Sequence, residues 1–233
     1  MTNSALFRLG FVFIVCLTGC ITKNNVQAQS LKKNWGIRLG LNAISITNYK
    51  VFQDGEILTN ASYTNKNGYL IAGFARVTFN RFFLQPEIAW NEYRRTCSFS
   101  LPIENSTNYY SPTDLYICSK AATTGLLAGY NIVSDLPFLF GVYAGSDFIG
   151  TYHTDYSMDP EKTFTKTDWM LNYSGILGFS INISRIYFDL RYEMCLPNAN
   201  LTLSDISDFS EFYQNVKIKK TESVLSFSCG VMF

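Results

Sequence analysis

From residue 35 onward, hydrophobic and polar residues alternate with a period of two along eight segments of the chain. In the seventh segment, Phe188 and Leu190 share one face while Asp189 shares the other with Arg191 and Glu193. This alternation is typical of β-strands whose two faces meet different surroundings. The predicted strands are Trp35–Thr47, Gly68–Phe79, Phe82–Ser98, Leu115–Val133, Phe138–Thr151, Asp168–Ile181, Ile186–Leu196 and Lys220–Phe233.

The connections between these strands are short and long in turn. The short ones are 80–81, 134–137 and 182–185, and the long, polar ones are 48–67, 99–114, 155–167 and 197–219. Short turns on the periplasmic side and long loops outside the cell are typical of bacterial membrane barrels. We therefore predict an all-β fold, an eight-stranded antiparallel up-and-down transmembrane β-barrel with short periplasmic turns and long extracellular loops. Its apolar face points outward, since the other face carries charges.

The first thirty residues form an export signal, in which Arg8 precedes the apolar run 9–17. Two processing sites compete. The lipobox 17–20 would make Cys20 a lipidated amino terminus, and ordinary cleavage would follow Ala28. The chain thus divides into a signal, residues 1–30, and a barrel domain, residues 31–233. No later segment offers the roughly 20 consecutive apolar residues of a membrane-spanning helix.

The amino-acid composition limits which classes of partner the protein can bind. The formal net charge of +1 gives no electrostatic reason for the chain as a whole to bind nucleic acid or acidic lipid. Aromatic residues make up 16% of the chain, which suits strands and the girdles of a membrane barrel. We expect a monomer in outer-membrane lipid, with no cofactor, and with any protein partner at the long loops or the periplasmic turns.

Charged residues recur on the face predicted to point inward. Unpaired charges in a narrow interior are costly, so we predict that these residues form an ion-pair and hydrogen-bond network that fills the lumen. A solute-conducting path is the alternative, although an eight-stranded barrel has little room beyond its own side chains. The residues are Arg38, Arg76, Glu87, Arg95, Asp147, Asp189, Arg191 and Glu193.

The cysteines beyond the signal have no zinc-like spacing, and we predict no metal site. Cys97 and Cys118 flank the second long loop on neighbouring strands, so an oxidising compartment would permit a disulfide between them. Cys229 falls on the lipid face, where a free thiol acts as a small apolar residue. Pro86 cannot donate a ladder hydrogen bond, which predicts a bulge in the third strand.

An enzyme would have to use His153, the only histidine, beside Asp155 and Ser157 near the outer rim. A catalytic base needs a positioned nucleophile and an orienting partner. Three polar residues in a loop are weak evidence for such a site. We therefore predict that the protein is not an enzyme and has no catalytic residues.

Three segments resemble the PorT-like outer-membrane β-barrel family of Bacteroidetes-type bacteria: FFLQPEIAW at 82–90, DWMLNYSGILGFSI at 168–181 and IYFDLRYEMCL at 186–196. The opening segment 36–42 looks like the first strand of that family. The resemblance implies an integral barrel in the outer membrane. One branch of the family is tied to protein secretion, and most members have no assigned activity.

Three functions remain open at this point. The first is a structural or interaction barrel that assists protein secretion or surface assembly. The second is a small transporter or pore, and the third is a soluble or lipid-anchored lipocalin-like binder with apolar residues inside and charges outside. The balanced charges of the predicted lumen favour the first function over the second, because a conducting pore needs open polar volume.

Overall fold

The computed structural model of the chain describes residues 31–53, 56–58, 62–102, 110–134, 137–159, 162–167, 169–195, 200–202 and 216–233. The predicted export signal, with Cys20 and the two candidate processing sites, lies outside the described residues. The strands are β1 Lys32–Gln53, β2 Glu56–Leu58, β3 Ser62–Phe79, β4 Phe82–Pro102, β5 Tyr110–Val133, β6 Phe138–Asp159, β7 Lys162–Lys166, β8 Met170–Ile183, β9 Ile186–Cys195, β10 Asn200–Thr202 and β11 Val216–Met232.

Eight of these strands form a closed antiparallel barrel. Each of β1, β3, β4, β5, β6, β8, β9 and β11 pairs with the next one along the chain, and β11 returns to pair with β1. At the closing seam, Trp35 and Phe233 exchange two backbone hydrogen bonds of 3.0 and 2.7 Å, and their rings stack with centroids 4.6 Å apart. The predicted fold class, strand order and closure are confirmed.

The side of the barrel with the long connections is here called the loop end, and the opposite side the turn end. Six of the eight barrel strands, β1, β3, β4, β5, β6 and β11, continue beyond their predicted ends at the loop end. β5 begins at Tyr110 rather than Leu115, and β6 ends at Asp159 rather than Thr151. The short strands β2, β7 and β10 add further pairs to β1, β6 and β11. Polar sequence alone predicts loops there, but cross-strand hydrogen bonds satisfy the backbone whatever side chains it carries.

The outer face of the barrel near the turn end is apolar. Trp35, Leu39 and Ile88 are all more than half exposed, although each belongs to a regular strand. Such a face is stable only in lipid, and the apolar band of a membrane barrel is about 25 Å tall. The lipocalin-like alternative, which needs the opposite arrangement, is wrong for this part of the chain. No helix among the described residues is long and apolar enough to cross a membrane.

Nearer the loop end, the faces change character. Cys97, Leu115 and Ile117 point inward and are at most 2% exposed, whereas Asp114 and Tyr116, on either side of Leu115, are exposed on the outside. The outer face of the barrel is therefore apolar in the membrane, whereas beyond the membrane apolar residues take inward positions. The change lies where the strands leave the apolar belt.

Pro86 does not produce the predicted bulge. The ladder between β4 and β5 runs without a register shift from Phe82↔Tyr130 to Pro102↔Tyr110. On the other side, the pairs with β3 stop at Phe74↔Glu87 and resume at Val77↔Leu84 in the same register. The missing N–H therefore interrupts one ladder locally without inserting a residue.

Two tight turns place a non-glycine residue in the left-handed region: Asn80 has a φ of 56° and Ser184 a φ of 57°. Asn tolerates this conformation better than Ser. We expect Ser184→Asn to raise, and Asn80→Ser to lower, the free energy of unfolding by about 0.5 kcal/mol each. Both changes can be measured by incubating each variant in increasing urea and following the fraction of protein in the folded, fast-migrating gel band. Equal changes of the same sign would contradict the explanation.

Candidate functional site

Four charged side chains form a closed ring inside the barrel. Arg38 of β1 contacts Glu87 of β4 at 3.1 Å and Asp189 of β9 at 3.3 Å. Arg191 of β9 contacts the same two carboxylates, Asp189 through Nε at 2.9 Å and Glu87 through both terminal nitrogens. All four side chains are at most 3% exposed. Each positive group thus meets two negative ones, which compensates the loss of hydration.

Neutral groups add further hydrogen bonds to this ring. The hydroxyls of Tyr143 and Tyr187 donate to Asp189 Oδ2 at 2.6 and 3.0 Å. Arg38 donates to Ser228 Oγ at 2.9 Å, and Gln85 donates to Glu87 Oε2 at 3.3 Å. Side chains from β1, β4, β6, β9 and β11 therefore meet at one level of the lumen. Arg38 Nε has no hydrogen-bond partner among the described residues. The other contacts form a connected network that is rigid and fills space.

Arg76 joins the network from the turn end. Its Nε donates to Gln85 at 2.7 Å, and its Nη2 donates to Tyr187 at 3.1 Å and Ser180 at 3.3 Å. Its guanidinium also lies 4.1 Å from the centroid of the Phe83 ring. Cation–π contact and hydrogen bonds together hold this charge without a carboxylate partner.

Three of the eight predicted lumen residues lie apart from this network. Asp147 and Glu193 are buried, at 3% and 7% exposure, and within the described part of the chain neither makes an ion pair or a side-chain hydrogen bond. Arg95 lies nearer the loop end and pairs with Glu222 of β11 at 2.7 Å. The structure therefore places all eight on the inner face, and five of them, Arg38, Arg76, Glu87, Asp189 and Arg191, share one network.

Apolar layers close the lumen on both sides of the network. Toward the turn end lie two clusters, Phe74 with Tyr187 and Met232, and Phe83 with Leu127, Tyr143 and Ile176. Toward the loop end, one cluster receives side chains from β1, β3, β4, β5, β6 and β11; we call it the upper plug. The upper plug consists of Ile44, Ile46, Tyr63, Tyr93, Ala121, Ile149 and Val224.

The comparison with known families decides what kind of barrel this is. Residues 27–199 match the family described as "Outer membrane protein beta-barrel domain". The chain belongs to this family. The protein is therefore a small barrel of the bacterial outer membrane, surrounded by lipid, and the predicted location is confirmed. None of the curated proteins compared with it matches.

Several solved barrels resemble this outer-membrane barrel. OprG from Pseudomonas aeruginosa is 12% identical, with 87% of this chain and 97% of that chain covered and a TM-score of 0.48. Ail, the attachment invasion locus protein of Yersinia pestis, is 13% identical, with 87% and 99% covered and a TM-score of 0.39. Neisserial surface protein A is 11% identical, with 85% and 97% covered and a TM-score of 0.40.

The predicted disulfide of this outer-membrane barrel is not formed. Cys97 and Cys118 are both free. Cys97 pairs in register with Leu115 and points inward, whereas Cys118 pairs with Arg94, whose side chain points outward. Two thiols on opposite faces of a sheet cannot meet without moving the backbone. Cys229 is free and exposed on the lipid face.

His153 lies on β6 near the loop end, where its Nε2 is 3.0 Å from Asp155 Oδ1. Asp155 also accepts a 2.7 Å hydrogen bond from Thr165 of β7. Among the described residues, no group of three or more His, Cys, Asp or Glu side chains is arranged to hold a metal ion. The arrangement pairs two partly exposed side chains and joins β6 to β7.

Sequence reasoning missed several inward-facing residues that pair with the predicted ones. Glu222 stands on the inward face of β11 with Val224 and Ser226, so the alternation could have revealed it. Gln85, Tyr143 and Tyr187 also have inward positions, but an uncharged residue there looks like simple filling. Their role depends on which side chains meet across the lumen, and alternation along one strand carries no such information.

Proposed function

We propose that this protein is a non-conducting, non-catalytic interaction barrel of the outer membrane, whose loop end binds a macromolecular partner at the cell surface. The proposal rests on two features taken together. Side chains fill the lumen, and the strands continue well beyond the membrane. A filled lumen argues against solute passage. Long strands outside the membrane provide a rigid support for recognition loops.

The filling of the lumen supports the first half of this proposal. A solute would have to pass the ion-pair ring and then the upper plug. Breaking the ring exposes buried charges, and opening the plug separates apolar side chains from six strands. An eight-stranded barrel has an interior just wide enough for side chains. The transporter alternative therefore requires a large rearrangement.

The extension of the strands supports the second half. From Glu92↔Lys120 to Pro102↔Tyr110, eleven successive pairs join β4 and β5 beyond the apolar belt. At about 3.4 Å per residue and a tilt near 45°, these pairs rise about 25 Å above the lipid. β3 pairs with this hairpin as far as Ser62↔Ser98 and β6 as far as Tyr116↔Ser157. Above these pairs the described residues of β4 and β5 pair with each other, and this pairing fixes their position. Preorganisation of this kind reduces the entropy lost on binding.

The resemblance to PorT-like proteins supports a narrower version, in which the partner belongs to protein secretion or surface assembly. A strain lacking the protein would then show fewer exported proteins on its surface. Surface biotinylation and quantitative proteomics of the mutant and the complemented strain would measure this. An unchanged surface proteome would contradict the secretion role and leave the interaction barrel intact.

We expect no channel activity. The purified protein, reconstituted in planar bilayers, should give no conductance steps, because the ring and the upper plug occupy the lumen. Single-channel recording with a porin as positive control would check this. Liposome swelling in small sugars gives a second readout. Regular conductance steps or sugar uptake would contradict the filled lumen and favour the transporter.

The partner itself can be sought with a photoreactive residue. Tyr116, which is 39% exposed, lies outside the apolar belt, whereas Leu177, which is 53% exposed, lies within it. A photoreactive residue at position 116 should yield a discrete protein adduct in intact cells, and one at position 177 should yield only lipid adducts. Absence of a protein adduct at 116 and at further outer positions, such as 98 and 114, would contradict the interaction role.

A further inference from the structure

Three basic side chains lie together on the outer surface of β3, β4 and β5; we call them the rim patch. Lys66 and Arg94 are directly opposite in register, and Lys120 lies diagonally from Arg94, opposite Glu92. All three positions point outward, and Lys66 and Arg94 are exposed. Neighbouring strands thus bring three cationic groups into one area.

The charges around the rim patch leave it positive. Arg94 pairs with the largely covered carboxylate of Glu92 at 2.6 Å. The next basic side chain, His153 of β6, faces Lys120 in register and is paired with Asp155. Lys66 and Lys120 make no ion pair within the described ranges, and Lys66 Nζ lies 4.6 Å from the Tyr116 ring centroid. Three cations thus face one carboxylate, with the His153–Asp155 pair beside them.

The level of the rim patch is fixed by aromatic residues below it. Trp90 Nε1 donates to the Tyr152 hydroxyl at 2.7 Å, and the Tyr152 and Trp169 rings are 5.8 Å apart. Tyr69 stands 5.3 Å from the Arg94 guanidinium. Such aromatic girdles mark the boundary between hydrocarbon and headgroups. The rim patch lies just beyond this boundary at the loop end, which faces the cell exterior in barrels of this kind.

We propose that the rim patch binds the phosphate groups of lipid A, the phosphorylated glycolipid of the outer leaflet. Phosphate is the anion that occurs at this depth on this side of the membrane. Arginine and lysine form charge-assisted hydrogen bonds with it, and clusters of basic residues at a headgroup level attract anionic lipids. Binding would hold a lipid at β3–β5 and fix the depth of the barrel.

The test compares lipid retention by the folded, purified protein in detergent. Native mass spectrometry would measure retention of bisphosphorylated lipid A, chemically dephosphorylated lipid A and phosphatidylglycerol. We expect lipid A to be retained best, and the triple variant Lys66→Gln, Arg94→Gln, Lys120→Gln to bind it roughly 100-fold less tightly. The matched control is Lys32→Gln, Lys33→Gln, Arg81→Gln, which removes the same charge from exposed positions at the turn end and should retain lipid A as the parent does.

A second variant separates binding from folding. Lys66→Gln with Lys120→Gln leaves the Arg94–Glu92 pair intact, and its heat-dependent gel shift should equal that of the parent while lipid A retention falls. Equal retention by parent and variants would overturn the proposal. Equal binding of dephosphorylated lipid A, or of phosphatidylglycerol, would also overturn it. The proposal would also be overturned if the variants lost the protein adduct at position 116 but still retained lipid A, because the rim patch would then bind a protein.

Discussion

Glu87→Gln is expected to lower the free energy of unfolding of the barrel by about 3–5 kcal/mol. Glu87 accepts from both Arg38 and Arg191 in the ring, and its side chain is 3% exposed. The amide keeps the shape but removes the negative charge, so two buried guanidinium groups would share Asp189 alone. Removing one partner from a buried charge network leaves an uncompensated charge. This costs far more folding free energy than the loss of a surface ion pair.

Urea or guanidinium titration in lipid vesicles, followed by the fraction of fast-migrating band on unboiled gels, would measure this loss. The matched control is Glu193→Gln, the same chemical change on the inner face of the same barrel. Glu193 has no ion pair or side-chain hydrogen bond within the described residues, so its substitution should leave the midpoint unchanged or raise it. Similar losses for both variants would show that the ring has no special role.

Gly230→Ala is expected to destabilise the closing seam by about 1–3 kcal/mol or to slow closure of the barrel. Gly230 pairs with Arg38, and a Cβ there would lie 2.0 Å from the backbone oxygen of Ile37 and 2.7 Å from Arg38 Cα. Backbone atoms cannot move aside as a flexible side chain can. The seam would have to open by a fraction of an ångström, and Arg38 would move away from its carboxylates.

Gly73→Ala is the control for this prediction, because a Cβ at Gly73 would meet no atom within 4 Å. Both glycines lie inside paired strands, so the change in backbone freedom is similar and only the steric difference remains. Midpoints of urea titration and rates of folding into vesicles would distinguish the two. A loss at Gly73 as large as that at Gly230 would contradict the steric explanation.

Period-two alternation was sufficient to predict the strand order, the closure and the inward direction of the eight lumen residues. It reports on each strand separately, however, and the ring depends on which strands face each other across the lumen. Arg38 meets Glu87 and Asp189 because β1, β4 and β9 converge at one height. The partner of Arg95 was missed for the same reason, since Glu222 lies on a strand distant in sequence.

The predicted strand ends were wrong because the alternation changes meaning where the barrel leaves the membrane. Inside lipid, outward positions are apolar; beyond it, inward positions such as Phe99 and Leu115 are apolar and outward ones are polar. A polar outward face with Asn, Ser and Thr looks like a loop in sequence. The disulfide between Cys97 and Cys118 was predicted from the positions of the two residues on neighbouring strands. Such positions do not show on which face of the sheet each thiol lies.

The reversal of the interior has a consequence for how this protein can diversify. The segment outside the lipid has its own apolar filling, with Val51, Phe99 and Tyr156 all at most 2% exposed. Insertions or replacements between Pro102 and Tyr110 therefore leave packed strands beneath them and do not touch residues that face lipid. The surface at the loop end can therefore change while the residues that face lipid stay the same. The same separation makes this chain a suitable scaffold for displaying foreign peptides on bacteria.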